Sequence, residues 1–210
     1  MPTHLSAFLV TTWLLAMLPG AGQALMMRQT LEGGTRIARA TIAGTATGLL
    51  LWSGTAAAGL SAVLLAEPAA YRALRIAGGV VLAVLGINTL RSARTAPGSG
   101  PDAAPGAAGR RTGLRAAYLA GLGTSLGNPK AGVFAVSVLP QFVTADGPVL
   151  VSGIALGAVW TLVTACWYLL FTFAVARGRA LVSRPAVRRG LAVATGAVLL
   201  ALGAAVAVGV

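Results

Sequence analysis

The chain has little of what reactive or metal-binding sites are built from: its 210 residues include one cysteine, one histidine, one lysine and four acidic residues. Cys166 alone cannot close an internal disulfide or form a reactive thiol pair, which excludes a thiol–electron carrier. Between Ala165 and Trp167 it reads as a small packed hydrophobe. With His4 close to the first residue, the His/Cys clusters of a zinc site are missing. Carboxylate or histidine ligands within the apolar segments, which a divalent-metal exporter would need, are missing too. No metal and no cofactor are expected. An intramembrane protease needs a nucleophile and a base. Ser53 and Ser125 have no histidine near them, and Lys130, five residues from Ser125, leaves a Ser–Lys dyad as the one enzymatic alternative. The chain is therefore read as a non-enzyme.

What is abundant is apolar. Hydrophobic side chains make up 57% of the chain and charged ones 10%, with a mean hydropathy of +0.83. That is not a soluble globular composition. A membrane-spanning helix needs about 20 apolar residues, and six stretches qualify: 5–27, 40–66, 71–90, 114–140, 148–175 and 191–210. The first is read as a span rather than a signal peptide, because residues 1–6 carry no Lys or Arg and the apolar run is long.

A net charge of +12 could suggest nucleic acid, but its placement argues otherwise. Thirteen of the 16 basic residues fall on alternate loops: after the first span, between the third and fourth, and between the fifth and sixth. Only Arg72 and Arg75 lie on the opposite side. Cytoplasmic loops collect Lys and Arg, so both termini are expected outside the cytoplasm. The basic face is expected to meet anionic lipid and no nucleic acid. Glu67 and Asp146 sit at the opposite ends of spans and Glu32 in the first loop, where water solvates them.

The first three spans resemble the last three. Pro19-Gly20 corresponds to Pro129-Lys130, and Gly44-x-x-x-Gly48 to Gly153-x-x-x-Gly157. Residues 77–87 and 194–204 share six of eleven positions. An odd number of spans per half forces the second half to insert upside down. The expected fold is an all-α membrane protein of six transmembrane helices, two inverted three-helix repeats with interrupted first and fourth helices. Residues 1–94 and 111–210 form the repeats, and the Pro/Gly/Ala-rich segment 95–110 is a flexible cytoplasmic linker. Inverted repeats with interrupted helices point to a secondary transporter with a midplane site. The glycine pairs are expected to pack helices within one subunit, a homodimer seam being the other use. Trp52, Trp160 and Tyr168 are expected to face lipid or core.

The only lysine lies in an apolar segment, directly after a proline. A cation at the centre of a spanning helix costs roughly 2.5–3.5 kcal/mol and so faces a polar cavity; the alternative is a helix end with Lys130 snorkelling to the surface. Pro129 has no N–H for the Ser125 carbonyl, and Pro19 none for that of Leu15. In an inverted pair, the half-helices beginning at Gly20 and Lys130 start near one depth, with their positive ends converging. Gln23 and Asn128 add neutral donors and acceptors. Such a site suits a carboxylate at the cation and an ammonium at the released carbonyls, which describes a zwitterionic amino acid.

The stretch Asn128-Pro-Lys-Ala-Gly-Val-Phe-Ala-Val-Ser-Val-Leu-Pro-Gln-Phe142 resembles the signature of the lysine exporter/homoserine-threonine resistance (LysE/RhtB) family. So does Leu18-Pro-Gly-Ala-Gly-Gln23, followed by the glycine-bearing stretch 33–48. The resemblance covers nearly the whole chain and is weakest in the linker and last span. It implies a bacterial inner-membrane exporter of amino acids and related metabolites, driven by the proton motive force, with Pro19, Gly20, Asn128, Pro129 and Lys130 along the substrate path. Many members have a second proline where this chain has Ala21, which implies a milder first break here. No mid-depth Asp, Glu or His offers a proton relay. Coupling would fall to Lys130, or to Asp146 and Glu67 at the rim, and an uncoupled pathway is a third alternative. A non-transporting membrane scaffold is the rival reading.

Overall fold

The computed structural model describes residues 5–18, 20–66, 113–143 and 148–178, with single helical positions between 76 and 91 and between 189 and 204. Every regular element among them is helical. The third and sixth expected spans lie largely outside the described residues, and the 95–110 linker and Pro19 lie wholly outside them.

Helix α1, Leu5–Met17, stops where Pro19 would have had to donate to the carbonyl of Leu15. Helix α2, Ala21–Ala66, is two helical arms joined at Gly34, whose φ of 75° lies in the left-handed region open to glycine. Residues 28–39, read from their arginines as a loop, are helical on both sides of that glycine. One residue is enough to turn the chain there, and Arg28 reaches Glu32 one helical turn later at 3.6 Å.

The fourth span is broken as expected. Helix α3, Leu114–Leu126, is followed by a two-residue gap and by α4, Pro129–Val133. The segment continues as a π-helical turn, Phe134–Val138, and a 3-10 turn, Leu139–Phe142. Pro140 has no N–H for the Val136 carbonyl, so regular i to i−4 bonding cannot pass through it. The N–H of Leu139 donates instead to the Phe134 carbonyl, five residues back. Helix α5, Val149–Arg177, has 29 residues, with a mean hydropathy of 2.0 over its most apolar 18, long and apolar enough to cross a bilayer.

Glycines set how these helices meet. A methyl on Gly44 would overlap the backbone carbonyl of Tyr118, and one on Gly121 that of Thr41, so α2 and α3 touch backbone to backbone. Gly48 lies against Ser125 and Gly132 against Trp52, so the second arm of α2 runs parallel to α3. On its other side Gly153 and Gly157 of α5 lie against Ala57 and Ser53, antiparallel. Both glycine pairs are thus buried inside one chain. Where lipid competes for apolar contact, such close approach and interhelical hydrogen bonds hold helices together, the latter at roughly 0.6 kcal/mol each. Here Thr45 Oγ1 donates to the Gly121 carbonyl (3.3 Å) and the Tyr118 hydroxyl to Thr47 Oγ1 (2.9 Å).

Two apolar clusters result. The larger gathers Phe8, Phe134, Leu139 and Trp160, with the Phe134 and Trp160 rings 4.6 Å apart and Phe142 edge-on to Phe8 at 5.1 Å. The smaller contains Met26, Ile42 and Tyr168. A polar seam lies between them.

Candidate functional site

The seam is built from two helix breaks. At the end of α1 the Leu15 carbonyl accepts from the N–H of Leu18 at 3.2 Å, a tightened last turn. The Ala16 and Met17 carbonyls accept from Gln23 Nε2, at 3.2 and 3.0 Å. Gln23 is one turn into α2, so its amide reaches back across the gap and ties the two half-helices together.

The second break closes differently. The Ser125 carbonyl, deprived of a partner by Pro129, accepts from Trp52 Nε1 and from the N–H of Asn128, both at 3.3 Å. Asn128 is the N-cap of α4, its side-chain oxygen accepting from the N–H of Lys130 at 3.0 Å. Its own carbonyl accepts from Ala131 (3.0 Å) and Gly132 (3.2 Å). The first amides of α4 are thereby satisfied locally, and the charge at this break resides in the Lys130 side chain.

Lys130 joins the two breaks. Its Nζ donates to the Leu15 carbonyl at 3.1 Å and to the Leu18 carbonyl at 3.4 Å, 115 and 112 residues away in sequence. A Cβ built on Gly20 would stand 4.0 Å from that nitrogen. The ammonium thus caps the C-terminal, partially negative end of α1, a favourable place for a cation. Two of its three donors are engaged with the protein, which leaves one for a ligand.

Around this ammonium lies a cavity with about 420 Å³ of empty space, its open mouth included. Asn128 and Lys130 line one side, Leu15 and Leu49 belong to its apolar wall, and Trp160, Thr164 and Tyr168 line it from α5. Its described lining has one cation and no carboxylate. Among the described residues no group of three or more His, Cys, Asp or Glu side chains could hold a metal ion.

Lys130 and Asn128 therefore line one space, and Gly20 lies beside the Lys130 nitrogen without belonging to that lining. Pro129 starts α4 and is exposed. Gln23 is buried, with its amide turned toward α1. Pro19 falls outside the described residues. The Ser–Lys alternative finds no support in hydrogen bonding, since Ser125 Oγ has no partner and Lys130 Nζ is held by carbonyls. Sequence reasoning passed over Thr45 and Thr164, and it did not join Trp160, Thr164 and Tyr168 into one stripe of α5. Trp160 and Tyr168 were expected to face lipid or core, with lining the pathway as the alternative; both are buried in the apolar clusters and also line the cavity. The signal available was spacing: 160, 164 and 168 stand four apart, on one helix face continuous with Gly153 and Gly157.

Residues 13–209 match the model of the LysE type translocator family. The chain belongs to that family. It is 26% identical over 173 residues to the uncharacterised membrane protein YrhP of Bacillus subtilis, covering 81% of this chain and 82% of the relative. It is 32% identical over 151 residues to the homoserine/homoserine lactone efflux protein of Salmonella typhi, covering 72% of this chain and 70% of the relative. The protein of the same name from Salmonella typhimurium aligns with the same identity and coverage. No solved structure matches. Membership of a translocator family makes this a bacterial membrane protein of the transporter type, in keeping with the reading of the chain as a carrier rather than an enzyme.

Proposed function

We propose that this LysE-type translocator exports amino acids or closely related small zwitterionic metabolites by alternating access, with its substrate site at the meeting of the two helix breaks. The observation that carries the reading is Lys130, whose half-buried ammonium is held against two carbonyls of the opposite half with a donor to spare. A substrate carboxylate takes that donor, and the substrate ammonium competes with Lys130 and Gln23 for the carbonyls at the end of α1. The family match and the efflux relatives support export as the direction. The apolar clusters on either side of the cavity serve as the two closures, one opening as the other seals. Gly20 gives the substrate room beside the cation, and Gln23 and Asn128 keep the broken helix ends satisfied while the halves rock.

Driving by the proton motive force belongs to the proposal, with Lys130 as the lining amine whose charge state can follow occupancy. So does an inner-membrane orientation with both termini outside the cytoplasm, supported by the alternation of basic loops. The test is efflux of labelled homoserine or threonine from preloaded vesicles containing the purified protein. Wild type empties them, faster under an imposed proton gradient. Lys130→Met slows release roughly 100-fold, equivalent to losing about 3 kcal/mol of charge-assisted hydrogen bonding. Retention of label by wild-type vesicles, or unimpaired release through correctly inserted Lys130→Met, contradicts the reading.

A further inference from the structure

Hydroxyls inside helices commonly return a hydrogen bond to a carbonyl one turn earlier, and several among the described residues do so. Thr12 donates to Phe8, Thr30 to Met26, Ser53 to Leu49 and Thr172 to Leu169. Ser125 and Thr164 do not: their oxygens have no partner, although the residues are only 2% and 6% exposed. For Ser125 the cause is visible, because the Gly121 carbonyl, one turn back, accepts from Thr45 Oγ1 across the helix crossing. Both residues line the cavity that holds Lys130, one from α3 and the other from α5. Thr161 is also without a partner but is not part of that lining. A buried, unmade hydrogen bond is a standing penalty. Two of them facing one cavity, with a cation in the same wall, mark where a ligand completes the bonding.

We propose that the hydroxyls of Ser125 and Thr164 form the side-chain subsite of the transporter and select a substrate with a neutral, hydrogen-bonding side chain. This rests on the transport reading above and goes further by assigning selectivity to two residues. A hydroxyl both donates and accepts. The subsite therefore takes a substrate hydroxyl as donor and as acceptor. An aliphatic side chain would leave both hydroxyls unpaired. A second cation on the substrate would meet Lys130 with no carboxylate among the described lining residues to offset it. The selected class is small hydroxylated amino acids, in preference to branched aliphatic and dibasic amino acids.

The experiment uses matched pairs in preloaded vesicles: homoserine with norvaline and threonine with valine, where a methyl replaces the hydroxyl, and lysine as the dibasic case. Wild type prefers the hydroxylated member of each pair and releases little lysine. Thr164→Val and Ser125→Ala each lower that preference roughly tenfold, the value of one hydrogen bond to a substrate. Thr164→Ser restores it. A wild type that releases both members of each pair equally overturns the subsite and leaves the transport proposal standing. Variants that slow both members equally, with the ratio unchanged, overturn it too, as that is the mark of a structural role. Wild-type vesicles that release none of the five compounds refute the transport reading instead. The preference of the wild type needs no variant, so the test holds even where a substitution prevents assembly.

Discussion

The two helix breaks have similar sequence causes and different structural solutions. After Leu126 the repair is mostly local: Asn128 caps the next helix and donates its N–H to the stranded Ser125 carbonyl, with Trp52 of the other half as a second donor. After Met17 four carbonyls need donors, and the partners come partly from beyond the gap, through Gln23, and partly from the other half of the chain, through Lys130. A break that closes on itself is a fixed joint. One whose bonding depends on a residue 115 positions away can be remade when the halves move or a ligand competes. Bistability therefore belongs to the first break, and the second serves to aim the lysine at it.

Substitutions separate these roles. The largest stability effect is expected where the second break is held in register: Gly44→Ala drives a methyl into the Tyr118 backbone and should cost about 3 kcal/mol, read as a lowered thermal midpoint in detergent. Gln23→Leu strands the Ala16 and Met17 carbonyls and should cost about 2 kcal/mol, with transport impaired alongside. Asn128→Ala removes a helix cap, at about 1 kcal/mol, and should leave efflux less affected than Gln23→Leu does. Equal transport defects in those two variants would erase the distinction between the breaks. Smallest of all, Arg28→Ala at the exposed pair with Glu32 should shift stability by no more than about 0.5 kcal/mol.

The fifth span was legible because apolar length in a membrane protein is close to a direct readout of helix position; α5 starts and stops within two residues of expectation. The breaks were legible for a local reason: proline removes a donor whatever surrounds it. The partners of the stranded groups were not, since they depend on which faces meet. Gln23 was read as facing the substrate, whereas its amide spans the gap behind it. Gly34 looked like one glycine among many, although it alone carries the non-helical backbone that kinks α2. Thr164 and Tyr168 blended into an apolar run, and only the glycine-guided packing of α5 shows which of its faces lines the cavity.

The most direct measurement asks whether the two breaks touch in the membrane. With Cys166 replaced by serine, cysteines at Gly20 and Lys130 are treated with a short bifunctional thiol reagent, and the 95–110 linker is then cut at an engineered protease site. Meeting breaks keep the two fragments joined on a denaturing gel, whereas either single-cysteine control falls apart. Fragments that separate in the double variant as readily as in the controls would place Lys130 away from the first helix and contradict the account.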